Sequence, residues 1–267
     1  MSKSNQSFLI KLFVAITFIG MITVNFLANA LPIAGNATGA ISDAYPNLFA
    51  PQGLTFSIWG LIYLLVLGFT LYHLGLFRQK SDQNNAQLLD KIGVLFIISS
   101  TANIAWIFAW HYEIIPLSLV LMVVILVSLM MKIITLSKHS LTGNEKFFLR
   151  LPFSIYFGWI TVATIANVTV LLISLGVDGI GAMQSNWTAI ILVVGAIIGI
   201  ATTIRFKDLA YGLVFIWAYL GIWMKHINPV PGFDGAYPVV INTAIVCIVL
   251  FVITEIYVFA KKSKKLD

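Results

Sequence analysis

Residues 115–136 read IPLSLVLMVVILVSLMMKIITL, an apolar run that contains a single charged residue, Lys132. A helix of this length is about 30 Å long, which matches the hydrocarbon core of a bilayer. Seven other runs are similarly apolar, so the sequence predicts eight membrane spans, near residues 8–29, 53–76, 92–111, 115–136, 148–175, 187–204, 209–225 and 238–260. The first span also fits a cleavable signal peptide that ends at Ala28-Asn29-Ala30.

The composition of the 267-residue chain agrees with a membrane protein. Hydrophobic residues make up 60%, charged residues make up 10%, and the mean hydropathy is +0.96. Soluble domains average about 45–50% apolar and about 25% charged residues, so a soluble enzyme, a disordered chain and a fibrous repeat are excluded. The apolar residues form unbroken runs and not the alternating segments of a β-barrel. We therefore expect an all-α, polytopic helical membrane protein.

The basic residues lie almost entirely on one side of the predicted spans. Of the 16 Lys and Arg residues, only Lys225 falls on the other side. The remaining 15 are Lys3, Lys11, Arg78, Lys80, Lys91, Lys132, Lys138, Lys146, Arg150, Arg205, Lys207, Lys261, Lys262, Lys264 and Lys265. The positive-inside rule then predicts that both termini of this multi-pass protein lie in the cytoplasm. We expect the membrane to be a prokaryotic plasma membrane. The net charge of +6 thus reflects topology and predicts no nucleic-acid partner.

Three of the predicted spans carry aromatic and amide residues in stripes. The stripes are Gln52, Phe56, Trp59 and Tyr63 in span two; Ser99, Asn103, Trp106 and Trp110 in span three; and Tyr156, Trp159, Ala163 and Asn167 in span five. Spacings of three and four residues place each stripe on one face of its helix. Aromatic belts or helix packing explain a single stripe, but three together favour an apolar pocket with a few polar groups. Its aromatic walls suit a flat ring system or a sterol.

A few isolated residues in the spans have simpler interpretations. Asn25 in span one is expected to bond a neighbouring helix. Gly195 and Gly199 form a GxxxG pair, which is expected to pack closely within the fold. His73 and Lys132 lie near the ends of their spans, and their side chains are expected to extend toward the membrane surface.

Catalytic and metal-binding motifs are absent from the sequence. It has no phosphate-binding Gly-Lys-Ser/Thr loop, no His-Glu-x-x-His and no Gly-x-Ser-x-Gly. The single cysteine, Cys247, excludes an intrachain disulfide and a Cys-based metal cluster. We therefore expect no catalytic residues, no metal and no required cofactor.

Three segments resemble the tryptophan-rich sensory protein and translocator protein (TspO/MBR) family. Residues 49–63, FAPQGLTFSIWGLIY, resemble the opening of the family's second helix. Residues 103–108, NIAWIF, are similar to Asn-x-x-Trp in its third helix, and residues 152–167, PFSIYFGWITVATIAN, to Pro-x-x-x-Tyr-x-x-Trp-x-x-x-Ala-x-x-x-Asn in its fifth. The order and the spacing agree over about residues 8–175.

The resemblance implies a five-helix bundle whose pocket binds porphyrins, sterols or other flat hydrophobic molecules. The family is linked to tetrapyrrole handling, stress regulation and sterol transport, and it often forms homodimers. By position, the resemblance assigns ligand binding to Trp59, Tyr63, Asn103, Trp106, Tyr156, Trp159, Ala163 and Asn167. A porphyrin or haem is thus the expected ligand, with the lipid bilayer and a second copy of the chain as expected partners.

The chain departs from the family pattern in two places. Residues 187–260 form three spans without a counterpart in the five-helix bundle, so the predicted domains are 8–175, 187–260 and a basic tail, 261–267. Asn47-Leu48-Phe49-Ala50-Pro51 replaces the Trp-rich loop that closes over the ligand in the family. A ligand-binding or sensory membrane protein is the favoured function. A transporter or permease that moves its substrate through the same pocket is the alternative, and a membrane enzyme is disfavoured.

Overall fold

The computed structural model describes residues 3–31, 33–36, 38–79, 85–177 and 182–263, which are mainly helical. The long helices are α1 (Lys3–Ala30), α3 (Ile58–Leu74), α4 (Ala86–His111), α5 (Ile115–Ser137), α7 (Leu151–Ser174), α8 (Ala182–Phe206), α9 (Leu209–Ile227) and α10 (Pro238–Ser263). Two helices, α2 (Thr38–Ala44) and α6 (Gly143–Glu145), are short. A 3₁₀ segment, Gly53–Ser57, leads into α3, and a π-helical segment, Lys146–Arg150, joins α6 to α7.

Among the described residues, seven helical segments are long and apolar enough to cross a membrane. They are Asn5–Ala30, Gly53–Leu74, Ala86–His111, Ile115–Ser137, Gly143–Ser174, Gln184–Phe206 and Pro238–Ser263. Each coincides with a predicted span, and the remaining prediction, 209–225, forms α9, which is not among the seven. The prediction of a polytopic helical membrane protein is confirmed.

The predicted orientation of the chain in the membrane depends on basic residues, and the structure describes only some of them. Lys80, Lys264 and Lys265 lie outside the described residues, as do positions 264–267 of the predicted basic tail. The cytoplasmic location of the termini therefore stays a prediction.

Local sequence signals set several helix ends. Pro116 lies in the first turn of α5, where a missing backbone N–H costs nothing. Thr142 and Glu145 form a capping box, with side-chain to backbone distances of 3.1 and 2.9 Å. At the start of α9, the Asp208 carboxylate accepts a hydrogen bond from the backbone N–H of Tyr211 at 3.3 Å.

The described residues belong to two compact units, and the division passes through α7. Unit 1 comprises residues 1–41 and Trp59–Phe157, and unit 2 comprises Ser42–Ile58 and residues 158–267. The predicted separation of 8–175 from 187–260 stays a prediction.

The core of unit 1 is rich in aromatic rings. Phe69 of α3 lies 5.1 Å from Phe96 of α4 and 4.7 Å from Phe153 of α7, measured between ring centroids. Helix α4 packs against α1 and α5, and a Cβ at Gly20 would lie 3.1 Å from the Cδ1 atom of Ile104. The missing glycine side chain thus lets α1 and α4 approach closely.

Glycine also permits close helix packing in unit 2. A Cβ at Gly199 would lie 2.7 Å from Phe251 of α10 and 2.8 Å from Phe215 of α9. A Cβ at Gly195 would lie 2.6 Å from the hydroxyl of Tyr219, which donates a hydrogen bond to a backbone carbonyl of α8. The prediction that this GxxxG pair packs within the fold is confirmed.

Candidate functional site

A chain of hydrogen bonds links three helices in the interior of unit 1. The side-chain amide of Asn25 donates to the Met21 carbonyl at 2.8 Å and to the Asn103 side-chain oxygen at 2.7 Å. The amide nitrogen of Asn103 donates in turn to the hydroxyl oxygen of Tyr156 at 3.3 Å. The side chains of Asn25, Asn103 and Tyr156 are all buried. Because the tyrosine oxygen accepts, its O–H hydrogen is available to a further acceptor.

Two aromatic rings of α3 lie beside this amide and tyrosine chain. The ring of Trp59 meets Tyr156 nearly edge to face, with centroids 5.8 Å apart and an interplanar angle of 69°. Trp59 also stacks on Tyr63, with a centroid distance of 5.4 Å and an angle of 23°. Both α3 rings are half-buried. The structure therefore brings together four of the residues assigned by the resemblance, Trp59, Tyr63, Asn103 and Tyr156.

Trp106 lies further along the same face of α4. Its ring stacks on Trp110 at 5.5 Å and 18°, and its side chain is buried. The indole nitrogen of Trp110 donates to the Thr38 carbonyl at 3.1 Å. The indole nitrogen of Trp106 has no hydrogen-bond partner among the described residues. A buried N–H of this kind is a donor that a bound molecule can satisfy.

The other three assigned residues belong to unit 2, on the C-terminal part of α7. Trp159 is buried, and the ring of Phe56 stands against it at 89° with centroids 5.8 Å apart. Asn167 is buried and Ala163 is half-buried. Trp159, Ala163 and Asn167 follow one another at spacings of four residues, so they share one face of α7.

The segment Ser42–Ile58 contains the stretch 47–51, and Asn47 makes several hydrogen bonds to the backbone there. The side-chain oxygen of Asn47 accepts hydrogen bonds from the backbone N–H groups of Phe49 at 3.1 Å and Ala50 at 2.7 Å. Its amide nitrogen donates to the Tyr45 carbonyl at 2.9 Å. An asparagine that bonds its own backbone in this way fixes a turn.

Helix α9 holds the second half of this segment within unit 2. The backbone N–H of Gln52 donates to the Gly221 carbonyl at 3.0 Å. The indole nitrogen of Trp217 donates to the Thr55 carbonyl at 2.9 Å, and Asn228 donates to the Gln52 side chain at 3.4 Å. The side chain of Thr55 occupies the space that a Cβ at Gly221 would fill. We call Trp217 and Gly221 of α9, together with Asn228 directly after it, the α9 clamp.

Sequence reasoning missed the clamp and the full role of Asn25. Asn25 was expected to bond a neighbouring helix, and the structure shows that this helix is α4 and that the partner is Asn103. The clamp residues carried no signal except a glycine in an apolar helix. The described residues contain no group of three or more His, Cys, Asp or Glu side chains that could hold a metal ion.

Comparison with known proteins identifies the family. The family model described as TSPO-like protein matches residues 11–257. The chain belongs to the TSPO-like protein family. The TSPO-like match extends past residue 175 and includes helices that the five-helix resemblance left without a counterpart. No curated protein and no solved structure gives a significant match.

Proposed function

We propose that this TSPO-like membrane protein binds a flat hydrophobic molecule of the tetrapyrrole or sterol type and acts as a ligand-binding or sensory protein. The observation that carries the proposal is the buried chain from Asn25 through Asn103 to Tyr156, beside the rings of Trp59 and Tyr63. Small-molecule sites typically combine apolar walls with a few oriented polar groups, and this cluster has both.

The physical chemistry of the cluster favours a ring with a hydrogen-bond acceptor. Aromatic contacts contribute about 0.5–1.5 kcal/mol each beyond the burial of their area. A neutral hydrogen bond adds about 0.5–1.5 kcal/mol, and Tyr156 has an O–H hydrogen to donate. The unsatisfied indole N–H of Trp106 is a second donor in unit 1. A ligand that reaches the protein from the bilayer is already concentrated there, which favours apolar molecules.

The resemblance adds Trp159, Ala163 and Asn167 to the proposed ligand residues. Their role rests on their place in the family motif, and Trp159 already packs against Phe56 within unit 2. A variant of Asn167 tests this part of the proposal by itself, since Asn167 is buried and lies outside the unit 1 cluster.

Titration of the purified protein in nanodiscs with protoporphyrin tests the proposal through tryptophan fluorescence. We expect saturable quenching, weakened by Trp59→Phe and by Asn103→Ala. Trp187→Phe is the matched control, because Trp187 is 45% exposed on α8 of unit 2 and is not one of the proposed ligand residues. Absence of saturable quenching by any tetrapyrrole or sterol would falsify the proposal. Net flux of the ligand in proteoliposomes would instead assign the transport alternative.

A further inference from the structure

Lys132 of α5 is buried completely inside unit 1. Its ammonium nitrogen donates a hydrogen bond to the Ser99 hydroxyl of α4 at 2.7 Å, and that hydroxyl donates to the Phe96 carbonyl at 3.0 Å. The expectation that Lys132 extends toward the membrane surface is therefore wrong, because the side chain turns into the protein. His73 is also completely buried, so the same expectation is wrong for it.

The surroundings of the ammonium group leave its charge poorly compensated. The nitrogen lies 4.4 Å from the ring centroid of Phe153 and 5.4 Å from that of Phe96, so two aromatic faces attract it. Within the described residues Lys132 forms no salt bridge. An ammonium group has three donors, of which Ser99 takes one. A charged side chain inside a membrane-spanning helix without a counter-ion is costly and marks a candidate functional group.

Lys132 lies close to the proposed ligand residues along two helices. Ser99 precedes Asn103 by four residues on α4, and Phe153 precedes Tyr156 by three residues on α7. Both offsets correspond to about one helical turn, roughly 5 Å. From Ser99 to Trp106 the face of α4 extends over about 10 Å, which is the scale of a fused or macrocyclic ring system. Measured along α4 and α7, the residues that contact the ammonium thus lie about one helical turn from the hydrogen bond between Asn103 and Tyr156.

We propose that Lys132 is the binding site for a carboxylate on the flat ligand whose ring lies beside Trp59 and Tyr156. This inference rests on the proposed function and specifies the chemical class of the ligand as an aromatic or macrocyclic carboxylic acid. One carboxylate neutralises one ammonium, whereas a phosphate would leave excess negative charge in a medium of low dielectric constant. The aromatic faces of Phe96 and Phe153 hold the ammonium in place before the ligand arrives.

The inference can be tested with two ligands that share one ring and differ only in whether their carboxyl groups are free or esterified. Mesoporphyrin and its dimethyl ester share the ring, and only the free acid carries carboxylates. In the wild-type protein we expect the acid to bind about 10- to 150-fold more tightly than the diester, since a charged hydrogen bond is worth about 1.5–3 kcal/mol. Lys132→Met should remove this preference, because it weakens binding of the acid and changes the affinity for the diester less than twofold. Lys138→Met, at an exposed position directly after the same helix, should change neither affinity.

The outcomes separate the inference from the proposed function. Equal binding of acid and diester by the wild-type protein, or equal weakening of both by Lys132→Met, would overturn the inference and leave the proposed function standing. Binding of neither compound would overturn the inference, and absence of binding by sterols and other tetrapyrroles as well would overturn the proposed function. The wild-type comparison needs no variant, so the test holds even where Lys132→Met fails to fold. Displacement of mesoporphyrin by oleate would reassign the carboxylate to a fatty acid and overturn the assignment of a flat ligand.

Discussion

Replacement of Tyr156 by phenylalanine removes one hydroxyl and keeps the ring that packs against Trp59. In the free protein the change deletes the hydrogen bond from Asn103, whose length of 3.3 Å exceeds the 2.7 Å between Asn25 and Asn103. Interhelical hydrogen bonds in membranes average about 0.6 kcal/mol, so we expect Tyr156→Phe to cost about 0.5–1 kcal/mol of stability. Loss of the hydroxyl donor to the ligand separately lowers the binding free energy by about 0.5–1.5 kcal/mol. The dissociation constant of the ligand should therefore rise roughly 2- to 12-fold.

A second buried tyrosine supplies the control for this prediction. The hydroxyl of Tyr211 donates to the Thr161 hydroxyl at 3.2 Å in unit 2, and its side chain is 1% exposed. Tyr211→Phe should therefore lower thermal stability by a similar amount and leave porphyrin affinity unchanged. Thermal unfolding in nanodiscs and fluorescence titration measure the two quantities on the same samples. Equal changes of affinity in both variants would refute the role of Tyr156 as a ligand donor.

Three further predictions concern packing and capping. Gly221→Ala places a methyl group on Thr55, so it should release the Ser42–Ile58 segment, and limited proteolysis in this segment should become faster. Gly199→Ala forces Phe251 to move and should cost about 1–3 kcal/mol, measured as a lower Tm. Glu145→Ala removes the capping box that opens α6 and the hydrogen bonds that the carboxylate accepts from Asn85, so it should cost about 1–3 kcal/mol, also seen in Tm.

Two of these variants have a matched comparison in the chain. Gly60 lies in helix α3 and a Cβ there meets no atom within 4 Å, so Gly60→Ala should be neutral or slightly stabilising. If Gly60→Ala lowered the Tm as much as Gly199→Ala, close packing at Gly199 would not explain the loss of stability. Thr55→Ala in the Gly221→Ala background should restore part of the protection of the segment, and no restoration would contradict the assigned contact. For Glu145→Ala, an unchanged Tm would contradict a stabilising cap.

The membrane spans could be predicted because length and apolarity are properties of the local sequence. The 22 residues of the apolar run 115–136 predict a membrane span however the other helices are arranged. The structure has α5 at this place. The 209–225 run was harder to judge, because its apolar residues are interleaved with Tyr, Gly and Trp. It forms a helix, although not one of the seven most apolar segments.

The candidate site could be predicted only as far as single helix faces. Spacings of three and four residues placed Asn103 and Tyr156 on their faces, but they did not show that the two side chains bond each other. Lys132 shows this limit, because a lysine near a helix end can reach water or turn inward. The outcome depends on Ser99 and Phe96 of α4 and on Phe153 of α7, which the local sequence does not place. The bond between Gln52 and Gly221 joins positions far apart in sequence, so no local pattern indicated it.

Photocrosslinking with a diazirine-substituted porphyrin, followed by peptide mapping, tests the central claim most directly. The account predicts labelling of the α3 peptide that contains Trp59 and Tyr63 and of the α7 peptide that contains Tyr156. Excess unlabelled porphyrin should suppress both labels. Labels confined to exposed apolar side chains such as Ile197 and Phe8, with no suppression by unlabelled porphyrin, would contradict a specific site beside Trp59 and Tyr156.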